Sequence, residues 1–498
     1  MLAEWVIAGK ATAMRRLAPV LLMCALALVP AACRPQAEGT LSVTVIGEPP
    51  RIADPALGRL SAPDAVLLEN VAQGLVRFDA SGNIVSGLAE RWNVSDDGLS
   101  YIFRIASTTW PDGKKVTAQQ VAKILKRQIA PRSRNELKDA LGAVEDIVAM
   151  TDRVIEIRLL APRPNLLALL AQPDLAIVQR GVGTGPFRAA PDKEDRLRLT
   201  RNVLASDEEL ATKEEVLLGG APAQQAIRDF ASGKTDLVLG GTFADLPFAR
   251  AVKLPRDSLQ FDPASGLFGL IPLRSGNGLD DPEVRRMLSQ AIDRDIIIGA
   301  LGVPGLAPRA TILEPGLDQL PPPVAPAWLA TPIADRIAAL RAQADRRFGT
   351  EKPALTVALP EGPGANLLLA VLVRSWGALG FNVTRATDAA SADFVLIDEV
   401  APSASAAWFV RHFRCGTAAI CDPEVDKLME AARQTPVPQQ RYALLQQAAT
   451  RIDDAQLFLP ITAPVRWSLV GRRIQGFAGN RFAVHTLTDL QQRPGTGN

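Results

Sequence analysis

"NVAQGLVRFDASGNIVSGLAERWNVSDDGLSYIFRIASTTWPDGKKVTAQQV" covers residues 70–121. Three turns punctuate it. Asp79-Ala80-Ser81-Gly82-Asn83 lies between two apolar runs and reads as a hairpin. Asp96-Asp97-Gly98 separates "LAERWNV" from "LSYIFRI", and Asp-Gly between alternating strands is a strong hairpin signal. Pro111-Asp112-Gly113 forms a third turn. Thr117 with Gln120 three residues on is a capping box, and Val121, Ile124 and Leu125 then recur on one helical face. The segment therefore predicts a small antiparallel sheet followed by a helix.

Upstream, "TLSVTVIG" (40–47) alternates apolar and polar residues and reads as a strand. The loop "EPPRIADPALGRLSAPD" leads into a helical pattern over 64–76. Further upstream, Met14-Arg15-Arg16 is a positive start, Leu17 to Val29 is an apolar run shorter than a bilayer span, and Pro30-Ala31-Ala32 are small cleavage-site residues. The expectation is an export signal over residues 1–33, starting at Met14. Cys33 directly after the small residues resembles the lipid-bearing cysteine of a lipoprotein. Ordinary cleavage, leaving a periplasmic chain without an anchor, is the other reading.

Downstream the pattern is mixed α/β. "DIVAMTDRVIEIRLL" is strand–turn–strand. "GVGTGPFRAA" (181–190) is a loop entering a strand, and "DRLRLTRN" (195–202) is the next strand. "AIRDFASGKTDLVLGG" reads as helix, Gly233, strand. "SGLFGLIPLRSG" (265–276) is an apolar strand. "DDPEVRRMLSQAIDRDIII" reads as one helix capped by Asp281, with Pro282 at its first position. A proline-rich connection over 302–334 precedes a helix (334–348), the strand "ALTVALP", a helix (363–380), and the strands "FNVTRA" and "ADFVLID". The helices "DPEVDKLMEAARQ" and "PQQRYALLQQAATRIDDA" follow, then a last strand "LFLPITAP" and a short tail.

Composition narrows the function. Of 498 residues, 47% are hydrophobic and 22% charged, with a formal net charge of +2. That supports real cores and offers no basic stripe for nucleic acid. "SGKT" (232–235) lacks the phosphate loop's earlier glycine, because position 228 is Arg, and its helix precedes rather than follows. "GVGTG" opens no helix, so a dinucleotide fingerprint fails. Two histidines, His412 and His485, leave little for acid–base or zinc chemistry, and no nucleophile motif is present. No catalytic residue, cofactor or metal is expected. Cys24 falls within the signal. Cys415 and Cys421, six apart in an exported chain, read as a disulfide loop. A metal or redox pair would lack C-x-x-C spacing and find only His412 nearby.

The motifs together resemble the extracellular solute-binding proteins of peptide-type ABC importers (family 5). The matching residues are Gly74-Leu75, Leu88-Ala89-Glu90, Trp92, Asp97-Gly98, Trp110, Asp112-Gly113 and Thr117-Ala118. "GTGPF" (183–187), "FASGKTDLVLG", "DDPEVRRMLSQAIDRDII" and the C-terminal helices continue the match in order, over nearly all of 40–475. The resemblance implies an α/β fold of two lobes in the manner of periplasmic binding proteins (type II, cluster C), with an extra domain inserted in lobe one. Lobe one would comprise 34–66, 181–264 and 461–498, the inserted domain 67–180, and lobe two 265–460.

The resemblance further implies a periplasmic or envelope-anchored monomer. It would capture a peptide-like or other small polar solute between its lobes and deliver it to an inner-membrane ABC permease and ATPase. Ligand-facing positions map to Arg59, Leu60 and Ser61, to Phe268, and to the loop "LIDEVAPSASAAWF" (396–409) with Asp398, Glu399 and Trp408. Where peptide binders have Trp and, three residues on, the Asp that holds the ligand's ammonium, this chain has Asp398 and Ala401. A buried ammonium needs an anion, so either Asp398 or Glu399 supplies it, or both are solvated loop acids. Two other functions stand beside import: a lipid-anchored protein of the same fold acting in sensing or envelope interactions, and a hydrolase, which the scarcity of histidine disfavours.

Overall fold

The computed structural model describes residues 39–204, 211–416, 418–488 and 490. The signal, Cys24 and Cys33 lie outside them. The architecture is that of the unit Leu41–Asn498. Its described residues build three larger sheets and a two-stranded hairpin.

A seven-stranded sheet runs, edge to edge, through Leu259–Phe261, Arg466–Val470, Leu237–Thr242, Thr40–Ile46, Ala211–Ala221, Leu197–Leu204 and Arg188–Pro191. The central pair is parallel, with Val43 opposite Leu237. Leu41, Val43 and Val45 are buried on one face, Ser42 and Thr44 on the other. A strand covered on both faces must satisfy its hydroxyls internally. Thr235 does this, meeting Ser42 Oγ at 3.3 Å and Thr44 Oγ1 at 3.0 Å.

The five-stranded sheet has the order Asn382–Arg385, Ala354–Ala358, Phe394–Val400, Gly266–Pro272, Leu459–Thr462. Two short connections join it to the first sheet: residues 262–265 after Leu259–Phe261, and 463–465 before Arg466–Val470. The two sheets centre two lobes that also meet through side chains. Phe243, just beyond strand Leu237–Thr242, packs edge-to-face on Phe268 with ring centroids 4.9 Å apart.

The stretch 70–121 supplies much of the third unit, with residues 144–159 completing its sheet. Strands Ala89–Val94, Ser100–Ile105, Val154–Leu159 and Val144–Thr151 form an antiparallel sheet, beside the hairpin Val76–Phe78/Ile84–Ser86. Gly98 takes φ +68 in the Asp-Gly turn, a conformation that costs glycine little. Both reciprocal bonds of the Thr117–Gln120 box form at the start of helix Ala118–Ile129. Trp110, Val121, Leu125, Phe103 and Ile155 share its core, and Trp110 Nε1 donates to Gln120 Oε1 at 3.0 Å.

Four local expectations are corrected. "DDPEVRRMLSQAIDRDIII" is two helices, Pro282–Ala291 and Arg294–Leu301. Ile292 is extended, and Asp293 caps the second helix by accepting from Ile296 N. The buried Arg294 guanidinium donates to Ser289 O at 2.7 Å and to Pro460 O at 2.6 Å. It thereby satisfies a carbonyl that a continuing helix would otherwise have used. The tail after "LFLPITAP" contains strand Arg466–Val470, which pairs with two neighbours of the seven-stranded sheet. Part of the 396–409 loop is a helix, Ala406–Arg411. Strand Ala211–Ala221 has no counterpart among the elements expected from sequence.

Candidate ligand site at the lobe boundary

Asp398 and Glu399 end the strand Phe394–Val400, opposite Phe268 and Leu267 of its neighbour. Alternation along a strand sends their side chains to opposite faces, and their fates diverge. Asp398 is met by Arg466 from the other sheet, Nη1 to Oδ1 at 2.8 Å, while Arg466 Nη2 donates to the Asp398 carbonyl at 3.0 Å. Burial pushes the Asp398 carboxyl above the usual range, and Arg466 offsets only part of that. Its charge is committed to joining the lobes.

Glu399 remains 30% exposed at its side chain. His412 Nε2 lies 3.3 Å from Oε2, and Arg59 Nη1 lies 3.7 Å from Oε1. Burial opposes ionisation here too. The His412 hydrogen bond and charge, with Arg59 and Arg411, outweigh it and hold the carboxyl below its ordinary value. His412 Nδ1 is 2.8 Å from the Trp408 carbonyl. Glu399 is a fixed anion at a lobe boundary, faced from the opposite side by an arginine that is 66% exposed.

The other expected site residues fall in different surroundings. Ser61 Oγ accepts from Asp64 N at 3.2 Å and caps helix Ala62–Val71. Leu60 packs on the core of the seven-stranded lobe. Phe268 is 1% exposed against Phe243. Trp408, on helix Ala406–Arg411, sits edge-to-face with His412, ring centroids 4.6 Å apart, and lines a cavity of about 1090 Å³. That cavity lies between the four-stranded unit and the five-stranded lobe. Arg163, Asn165 and Leu169 form one wall, and Ser405, Trp408 and Arg441 the other.

Sequence reasoning missed Arg466, which fell in the supposed tail, and the His412 bridge. "VRWSLV" alternates like a strand, and a buried acid needs a base, so both signals were available. Cys415 and Cys421 form a disulfide with Cα atoms 5.0 Å apart. Among the described residues no group of His, Cys, Asp or Glu is arranged to hold a metal ion, and no helix is long and apolar enough to cross a membrane.

Two α/β lobes joined by paired short connections, with a charged boundary between them, define a two-lobed solute-binding protein. The model of the bacterial extracellular solute-binding proteins, family 5, matches residues 83–399, and the chain belongs to that family. The probable di/tripeptide-binding protein 5 of Pseudomonas aeruginosa is 25% identical over 510 residues, covering 90% of this chain and 95% of that one. Two solved structures share the fold at lower identity. Haemophilus influenzae OppA, complexed with RPPGFSPFR, superposes with a TM-score of 0.76 at 18% identity, covering 90% of this chain and 98% of that one. The ABC transporter-associated periplasmic binding protein DppA of Helicobacter pylori, with peptide STSA, gives 0.68 at 17%, covering 90% and 96%. The family binds solutes and is not one of enzymes, which removes the hydrolase reading.

Proposed function

We propose that the protein captures a short peptide-like zwitterion between its lobes and passes it to a membrane permease of the ABC type. The observation that carries this reading is Glu399. It is an ionised carboxylate at the lobe boundary, bonded to His412 and facing Arg59 of the opposite lobe across 3.7 Å. A ligand ammonium needs a desolvated anion, and Glu399 supplies it while Asp398 stays with Arg466. Arg59 is placed for the ligand's carboxylate, and inserting the ligand between the two charges draws the lobes together. The relatives' names, di/tripeptide-binding protein and OppA with a peptide, agree with this class of solute. The lobe limits expected from the sequence and attachment through Cys33 belong to the same proposal, since an anchored receptor stays near its membrane partner.

The test is thermal-shift and calorimetric screening of the mature chain against di- and tripeptides and their N-acetylated forms. Stabilisation by free-amine peptides, lost on acetylation and in Glu399→Gln, is expected. No stabilisation, or equal stabilisation by acetylated peptides, overturns the reading.

A further inference from the structure

We propose that the cavity between the four-stranded unit and the five-stranded lobe binds an anionic oxygen group, a carboxylate or a phosphate, held between Arg163 and Arg441. Arg441 is on helix Pro438–Asp454 and lines the cavity, yet it is only 6% exposed. Among the described residues no carboxylate comes within ion-pair distance of it. Its guanidinium rests on the Tyr442 ring, 5.8 Å from the centroid. Arg163 comes from the opposite wall. It donates to two carbonyls, Pro162 O at 2.8 Å and Arg433 O at 3.3 Å, and among the described residues it too has no carboxylate within ion-pair distance.

A sequestered guanidinium without an anion is costly. The cost shows at Arg163, which burial and the neighbouring Arg441 push down to about 10. The nearby acid, Asp318, acts on both arginines only at a distance, because its oxygens are taken by neutral donors. Its Oδ1 accepts from Asn165 Nδ2 at 2.9 Å, and its Oδ2 accepts from Ala406 N at 2.8 Å and Ser405 Oγ at 3.3 Å. Arg433, also on the cavity wall, has its own acid in Glu430, at 2.7 Å. The two arginines are left facing about 1090 Å³ of space, ample for a small ligand. Guanidinium forks match carboxylate and phosphate oxygens in pairs. One arginine comes from each wall, so a bound anion would tie the four-stranded unit to the five-stranded lobe.

The anion has two possible sources: a free ion, or the acidic end of a longer solute whose other end is at the lobe boundary, because His412 touches both places. Calorimetry on the mature chain separates them, using inorganic phosphate, succinate, and the dipeptides Ala-Glu and Ala-Gln. If the group is free, phosphate or succinate binds alone. If it belongs to the solute, Ala-Glu binds more tightly than Ala-Gln and the free ions bind weakly. In either case Arg163→Gln and Arg441→Gln should weaken the anion-dependent binding about tenfold or more. Arg441→Lys should recover part of it, and Arg228→Gln on an exposed surface should change nothing. Arg163 lies outside regular elements, so its variant keeps the test open even if Arg441→Gln does not fold. No binding by any probe, or binding equal in the variants, overturns the proposal. Glu399→Gln separates it from the reading above, because that variant should lose the preference for a free amine and keep the anion site.

Discussion

At the scale of single residues, two adjacent acids have separate work. Asp398 is buried with Arg466 between sheets, whereas Glu399 stays partly exposed between His412 and Arg59. Removing one partner of a buried pair strands the other charge. Asp398→Asn should therefore lower unfolding stability by about 3 kcal/mol, and Glu399→Gln by under about 1 kcal/mol, as partly exposed pairs do. Denaturant unfolding measures both, and a larger loss in Glu399→Gln would reverse the two roles. The sequence placed both acids in one loop and could not rank them. The ranking depends on which face of the strand meets Arg466, a residue 68 positions away.

At the scale of elements, buried charges decide boundaries and pH response. Arg294 breaks one helical run in two by taking carbonyls from the first helix and from strand Leu459–Thr462. Lysine cannot reproduce that fork, so Arg294→Lys should cost about 2 kcal/mol or more, read from the shift in denaturation midpoint. Helix Ala62–Val71 carries Glu69 and helix Pro438–Asp454 carries Asp453, and burial pushes each carboxyl up to about 8. Between the ordinary carboxylate range and about pH 8, the folded chain keeps protons that the unfolded chain releases. Stability therefore falls as pH rises through that window. Glu69→Gln and Asp453→Asn should each flatten the fall. Asn at 453 can still accept the Ile312 N bond now made at 2.9 Å. Melting temperatures from pH 5 to 9 that decline as steeply in the variants as in the parent would refute this. The caps, the Asp-Gly turn and the capping box were legible because they are made by neighbours in sequence. The pairing of strand Arg466–Val470 was not, because both of its partners, Leu237–Thr242 and Leu259–Phe261, lie far upstream in the chain.

At the scale of the whole molecule, the lobes also touch where a side chain is absent. Gly364 N, in helix Pro363–Gly377, donates to Ala244 O at 2.9 Å, and a Cβ on Gly364 would run into the Phe243 carbonyl oxygen. Gly364→Val should wedge the lobes apart, raising the radius of gyration in small-angle scattering and weakening peptide binding. An unchanged radius and affinity would show that this contact does not set the closed geometry. The sequence by itself determined the α/β class and the family, since ordered local motifs with their turns and caps are properties of short segments. It also determined that two acids stand near the start of the 396–409 segment. Only the tertiary structure decided which acid joins the lobes through Arg466 and which stays partly exposed between His412 and Arg59. The same holds for the two arginines, Arg163 and Arg441, that share a cavity. Charge pairing and burial depend on distances in space, and residues 163, 398, 441 and 466 become neighbours only when separate sheets and helices pack.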